Sequence, residues 1–112
     1  MSECVFCRIV NGELPAEKIF ENEKYLVFSD VNPQAPVHYL VIPKEHITDL
    51  MAVKNPAMLG EIFSIVQDVA KKEGLEQKGF RVVNNCGDEG GQTVDHLHFH
   101  ILGGRFMEWP PG

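Results

Sequence analysis

Histidines stand at positions 96, 98 and 100, every second residue of the segment DHLHFHILGG, with Leu97, Phe99 and Ile101 between them. Residues i, i+2 and i+4 share one face of a strand, whereas in a helix the middle one would point away from the other two. The intervening β-formers would face a core, so the rhythm predicts a strand with three imidazoles on its other face. A rise of about 3.3 Å per residue sets neighbouring rings about 6.6 Å apart and the outer two about 13 Å apart, too far for one metal ion to hold all three. Burying three titratable rings without partners is expensive. The pattern therefore asks for divided labour: one ring as ligand or orienter, one as nucleophile or base, one as hydrogen-bond donor.

The stretch just before them, NNCGDEGGQTVDH, is a glycine-rich loop. Gly87, Gly90 and Gly91 let the backbone approach a ligand, and amides beside Gln92 and Thr93 can donate to a phosphate without any net positive charge. A second set of chemistry-bearing residues opens the chain, where CVFC supplies Cys4 and Cys7 and the later KEH ends in His46. The C-x2-C spacing is that of many structural zinc sites, and two Cys with two His would close a tetrahedral shell; the residues alone leave the fourth ligand open. Two reduced thiols packed as small hydrophobes are the plain alternative.

These groups need a frame. KIFENEKYLVFSDV offers two short β-prone stretches, Lys18 to Glu21 and Tyr25 to Ser29, hinged at Glu21-Asn22-Glu23. The prolines of NPQAP force a turn before VHYLVIP resumes as an apolar strand closed by Pro43. Apolar residues at Met58, Leu59, Ile62, Phe63, Ile65, Val66, Val69 and Ala70 predict a helix from Pro56 to Glu73, with Asn55-Pro56 as its start and Gly74 as its stop. FRVVN and HLHFHIL add two strands, and Cys4 to Val10 a short helix. The order predicts an α+β fold, a five-stranded antiparallel sheet with one long and one short helix, in a single domain spanning 1–112.

Composition narrows the function classes. A net charge of -6 argues against a nucleic-acid surface, which depends on clustered Lys and Arg. No segment has the apolar length of a membrane span or the layout of a signal peptide, so a cytoplasmic location is the expectation, as is an uneven thiol count of Cys4, Cys7 and Cys86 outside any disulfide framework.

GGQTVDHLHFHILGG resembles the His-x-His-x-His-x-x signature of the histidine triad superfamily, and SDVNPQAPVHYLVIPKEH with the terminal GGRFMEWPPG is similar to its Hint branch of nucleotide-binding phosphoramidases. The similarity runs from Cys4 to Gly112. It implies a homodimer whose two sheets join into ten strands, and it implies a reaction: His98 attacks the α-phosphorus of a purine nucleoside (AMP or GMP) phosphoramidate and is transiently nucleotidylated. His100 would hydrogen-bond the phosphate. Asn85 and Thr93 would contact the phosphate and leaving group, joined by Gly91 and Gln92 of the loop, while Asp30 and Val31 would hold ribose and base. Asp30 suits a diol, since a carboxylate accepts two hydrogen bonds, although a turn role before Asn32-Pro33 explains it equally. Bacterial relatives with this C-x2-C bind zinc, which on this chain implies Cys4, Cys7, His46 and His96 as one structural site.

The resemblance also places His38 under the active site, where an ordinary strand histidine is the alternative, and sends the Trp109 tail toward the partner subunit's leaving-group pocket. Cys86 has no role beyond a free thiol. Two positions depart from the branch: Asp95, where an aromatic residue is common, and Thr93, where serine is. The runner-up activities are a dinucleoside polyphosphate hydrolase and a zinc-stapled nucleotide-binding module with incidental chemistry.

Overall fold

The computed structural model describes residues 3–112; Met1 and Ser2, inside the expected unit of 1–112, lie outside the described residues. Five strands form one antiparallel sheet: β1 (Lys18–Glu21), β2 (Tyr25–Ser29), β3 (Val37–Pro43), β4 (Phe80–Val83) and β5 (Phe99–Gly103), in the order β1-β2-β3-β5-β4. The short helix α1 is Val5–Val10 and the long helix α2 is Ala57–Lys72, with a 3-10 turn at Leu50–Ala52 before it that the sequence pattern does not announce. This is the expected α+β architecture. No helix among the described residues is long and apolar enough to cross a membrane.

Alternation along β2, β3 and β5 divides the core into two layers. Tyr25, Val27, Val41, Phe99 and Ile101 face α2 and pack with Ile62, Ile65, Val66 and Val69. Leu26, Phe28, Leu40 and Ile42 face the other way, against Phe6 and Ile9 of α1. The helix forms where its apolar stripe can be buried: Ile62 is fully enclosed, and truncating such a residue to alanine costs about 2–5 kcal/mol. Pro56 is the N-cap of α2, the Ala57 amide donates to Asn55 Oδ1 at 3.0 Å just ahead of it, and Gly74 follows the helix with φ of +73°. Phe63, expected in the stripe, lies at its edge, 45% exposed with its ring against Phe99.

Beyond the trimming of α1 to Val5–Val10 and of α2 to Ala57–Lys72, two strand boundaries near the histidines differ from the sequence pattern. The expected strand HLHFHIL enters the ladder only at Phe99, and FRVVN leaves it after Val83. Ahead of the ladder the backbone is tied elsewhere, with the Leu97 amide donating to the Ile47 carbonyl at 2.6 Å. Alternation nonetheless persists through this approach: Leu97 belongs to the α2 layer, and His96 and His98 are buried on the other.

Candidate functional site

The register of β3 on β5 pairs Leu40 with His100 and His38 with Leu102, so His38 and His100 are diagonal neighbours on one face. His38 Nε2 lies 2.9 Å from His100 Nδ1 and 3.4 Å from Asp30 Oδ2. The proton positions follow from one backbone group. The Gln34 amide donates to His38 Nδ1 at 3.0 Å, so that nitrogen carries no hydrogen and Nε2 does. His38 Nε2–H then donates to His100 Nδ1, and the neutral His100 ring must hold its own proton on Nε2. Burial keeps both rings neutral. It lowers His38 below the ordinary imidazole range against the pull of Asp30, and it takes His100 down to about 4, with His98 and His38 adding to the effect and Asp30 opposing it.

The same logic fixes His98. Its Nδ1 lies 2.7 Å from the His96 carbonyl oxygen, an acceptor, so Nδ1 carries the proton and Nε2 keeps the lone pair. The rings of His98 and His100 stand 5.1 Å apart, centroid to centroid. Neighbouring rings thus present one bare nitrogen and one N–H, the groups that a nucleophile and a hydrogen-bond donor to an anion would each need. Phe6 of α1 meets the His98 ring edge-on at 5.2 Å and the His96 ring at 5.8 Å.

The third histidine belongs to another group. His96 Nε2–H donates to the Pro43 carbonyl at 2.8 Å, which turns its Nδ1 lone pair toward Cys4 Sγ at 3.3 Å and Cys7 Sγ at 3.6 Å. His46 Nδ1 lies 3.3 Å from Cys7 Sγ, and one ligand atom from each of the four residues falls within 4.8 Å of every other. Bond lengths of about 2.3 Å to sulfur and about 2.0 Å to nitrogen put tetrahedral S···N pairs roughly 3.5 Å apart, which these distances meet. The carbonyl that orients His96 is the outer partner such a ligand needs. Asp30, His38 and His100 also converge. There, however, the Gln34 amide leaves His38 Nε2 protonated, so that group is a hydrogen-bond relay.

The loop Asn85 to Gln92 closes on itself. Asn85 Nδ2 donates to the Gly90 carbonyl at 2.6 Å, while Gln92 Oε1 accepts from the Gly87 amide and its Nε2 donates to the Thr48 and Val94 carbonyls at 2.9, 2.8 and 3.0 Å. Gly90 has no space for a side chain, since a Cβ there would run into the Cys86 carbonyl, and Gly91 has φ of +76°. Thr93 is exposed and lines a cleft of about 400 Å³ with Glu3, Cys4, Val5, His46, Val94 and Asp95. Val31 is 97% exposed and Trp109 82%, the tail being held through Arg81, which donates to the Glu108 carbonyl at 2.8 Å. Three features escape sequence reasoning: the Gln34 amide, which has no side-chain signature; Phe6, masked by the cysteines around it; and Asn84, whose Nδ2 donates to the His98 carbonyl at 2.9 Å.

Comparison with known proteins places this geometry among relatives. The family model of the HIT domain matches residues 11–107. The chain is 49% identical over 115 aligned positions to an uncharacterized HIT-like protein of Synechococcus elongatus, covering the whole of both. It is 46% identical to the 14 kDa zinc-binding protein of Zea mays, over 99% of this chain and 89% of that one. Among solved structures, the HIT family hydrolase from Legionella pneumophila superposes with a TM-score of 0.95 at 46% identity, over 98% of this chain and 100% of the other.

Proposed function

The chain belongs to the HIT domain family, and from that premise we propose that it is a nucleotide-binding hydrolase that cleaves the P–N bond of purine nucleoside 5'-phosphoramidates through a nucleotidylated His98. The observation that carries the reading is the pair of tautomers, a lone pair on His98 Nε2 beside a proton on His100 Nε2. The hydrolase title of the Legionella pneumophila relative supports the reaction class.

His98 Nε2 attacks the α-phosphorus, the N–P bond to the ring forms, and the substrate's P–N bond breaks. The departing amine takes up a proton from solvent. Charge gathers on the phosphoryl oxygens, where His100 Nε2–H, the Asn85 amide and the loop beside Gly91 and Thr93 donate; preorganised donors of this kind supply the largest share of such barrier lowering. The His98 Nδ1–H bond to the His96 carbonyl stabilises the cationic ring while it carries the nucleotidyl group. Water then adds to phosphorus, the ring is released, and the nucleoside monophosphate leaves. Gln92 holds the loop in shape through its own bonds. Asp30 sits at the start of the turn where a ribose diol would be accepted, with Val31 beside it toward the base.

Cys4, Cys7, His46 and His96 would hold one zinc ion per chain in this reading, and with all four side chains as ligands it would brace α1 against the catalytic strand and serve structure rather than substrate. The zinc-binding title of the Zea mays relative supports the choice of metal. The protein acts as a homodimer, the exposed Phe106 and Trp109 of the tail reaching the partner's site.

Adenosine 5'-phosphoramidate and a dinucleoside polyphosphate, assayed side by side, test the substrate class; the first is expected to be the better substrate, and the reverse order moves the chain to the runner-up activity. His98→Asn is expected to lose turnover by at least about a thousandfold while still binding nucleotide, as loss of a covalent nucleophile does. Wild-type enzyme quenched in alkaline denaturant, where a histidine P–N bond survives, should yield a nucleotidylated peptide containing His98 from a preparation that sediments as a dimer. An active His98→Asn variant would refute the proposal.

A further inference from the structure

We infer that Arg105 is a positioning residue for the histidine relay: its guanidinium ties the start of the C-terminal tail to the turn before β3 and so holds the Gln34 amide that sets the protons of His38 and His100. The Gln34 amide donates to His38 Nδ1 at 3.0 Å, and the carbonyl of the same residue accepts from Arg105 Nε at 2.9 Å. Those two groups belong to the rigid peptide planes on either side of one Cα, so whatever fixes the second limits the first. Arg105 Nη1 also donates to the Phe106 carbonyl at 3.1 Å, so one planar group spans turn and tail with charge-assisted bonds.

The turn needs a hold from outside. Gln34 lies on an exposed stretch between β2 and β3, where Pro33 and Pro36 have no N–H to give. Asp30 Oδ1 accepts from the Asn32 amide at 2.8 Å and Gln34 Nε2 donates to the Asn32 carbonyl at 3.1 Å, bonds that shape the turn from within. A separate observation seats the tail on the same turn. Gly104 has φ of +93°, and a Cβ there would stand 2.8 Å from Pro36 Cβ, so the tail backbone rests directly on the proline. A shift of the tail at this point is carried through Gln34 to His38 Nδ1. Without the Gln34 amide His38 can put its proton on either nitrogen, and His100 Nε2 loses its assured hydrogen. The seating of the tail and the donor at His100 are therefore coupled, although Arg105 itself touches neither ring.

The expected loss of rate rests on the proposed function, whereas the coupling is read without substrate. Arg105→Met keeps the stem and removes the fork; Arg105→Lys keeps the charge on a single ammonium, should fall between Arg105→Met and wild type, and carries the test if the methionine variant fails to fold. In Arg105→Met the ¹⁵N shifts of the two His100 ring nitrogens, well separated for one fixed tautomer, are expected to move toward each other. Its kcat for adenosine 5'-phosphoramidate should fall roughly fivefold with KM within about twofold. Arg81→Met frees the tail at Glu108 and leaves the Gln34 bond alone, so it should keep wild-type ring shifts. Wild-type ring shifts or wild-type kcat in folded Arg105→Met would overturn the inference. So would an equal movement of the shifts in Arg81→Met, which marks a general loosening of the tail. An active His98→Asn fells the proposed function instead, and the ring shifts alone then decide whether Arg105 governs the relay.

Discussion

Phe6 stands edge-on to His98 with ring centroids 5.2 Å apart, and Phe6 sits in the chain between Cys4 and Cys7. Cys7 and Phe6 thus lie on one six-residue helix and Cys4 caps its N-terminus, so the two thiols proposed as ligands and the ring packed on His98 belong to one short segment. A helix that short does not hold its shape unaided. Whatever fixes Cys4 and Cys7 therefore fixes Phe6, and through it one side of His98.

Metal removal should be felt in both stability and the site. Elemental analysis of protein purified without chelator is expected to give close to one zinc per chain. Stripping it, or changing Cys7 to serine, should lower the melting temperature by about 10 °C or more, since each kcal/mol moves a domain of this size several degrees. The His98 ring resonances should broaden or shift as Phe6 loosens. Identical melts with and without chelator would remove the metal from the account.

The fold was legible because hydrophobic alternation is a local property: VHYLVIP and YLVFS form strands with the expected ends. That Cys4, Cys7, His46 and His96 converge, and that His98 and His100 lie side by side, was legible from spacing and from family resemblance. What the sequence could not show is how His38 and His100 divide their protons, because that depends on the Gln34 main-chain amide and on a diagonal contact across two strands. Asn84 was hidden for a similar reason. It reads as the last residue of a strand, and only the divergence of β4 from β5 gives its side chain work to do.

The relay predicts an ordered response at position 38. Leucine there leaves the Gln34 amide and His100 Nδ1 without a partner and frees His100 to place its proton on either nitrogen, so kcat should fall roughly ten- to a hundredfold, the range of a lost preorganised donor. Glutamine is long enough for its Nε2 to donate to His100 as the imidazole Nε2 does, so His38→Gln should retain more activity than His38→Leu. The ¹⁵N shifts of the His100 ring, measured in both variants, report the tautomer directly. Equal activities with an unchanged His100 tautomer would show that His38 is an ordinary strand histidine.

Burial of His100 makes stability depend on pH with a definite sign. Its folded value, pushed down to about 4, lies below the ordinary 6.5, so the unfolded chain binds the proton more tightly. The contribution is fully present above pH 6.5 and is lost progressively as pH falls through 6.5 toward 4. His38, also lowered by burial, adds in the same direction. Carboxylates titrate in part of this window, so the comparison must be internal: urea unfolding of wild type and His100→Asn at pH 7.0, 5.5 and 4.5, all as zinc-loaded protein. The variant, lacking the titrating ring, should lose less stability between pH 7.0 and 4.5 than wild type does. If the two lose the same amount, the His100 ring is not held neutral by its surroundings, and the donor assigned to its Nε2 loses its physical basis.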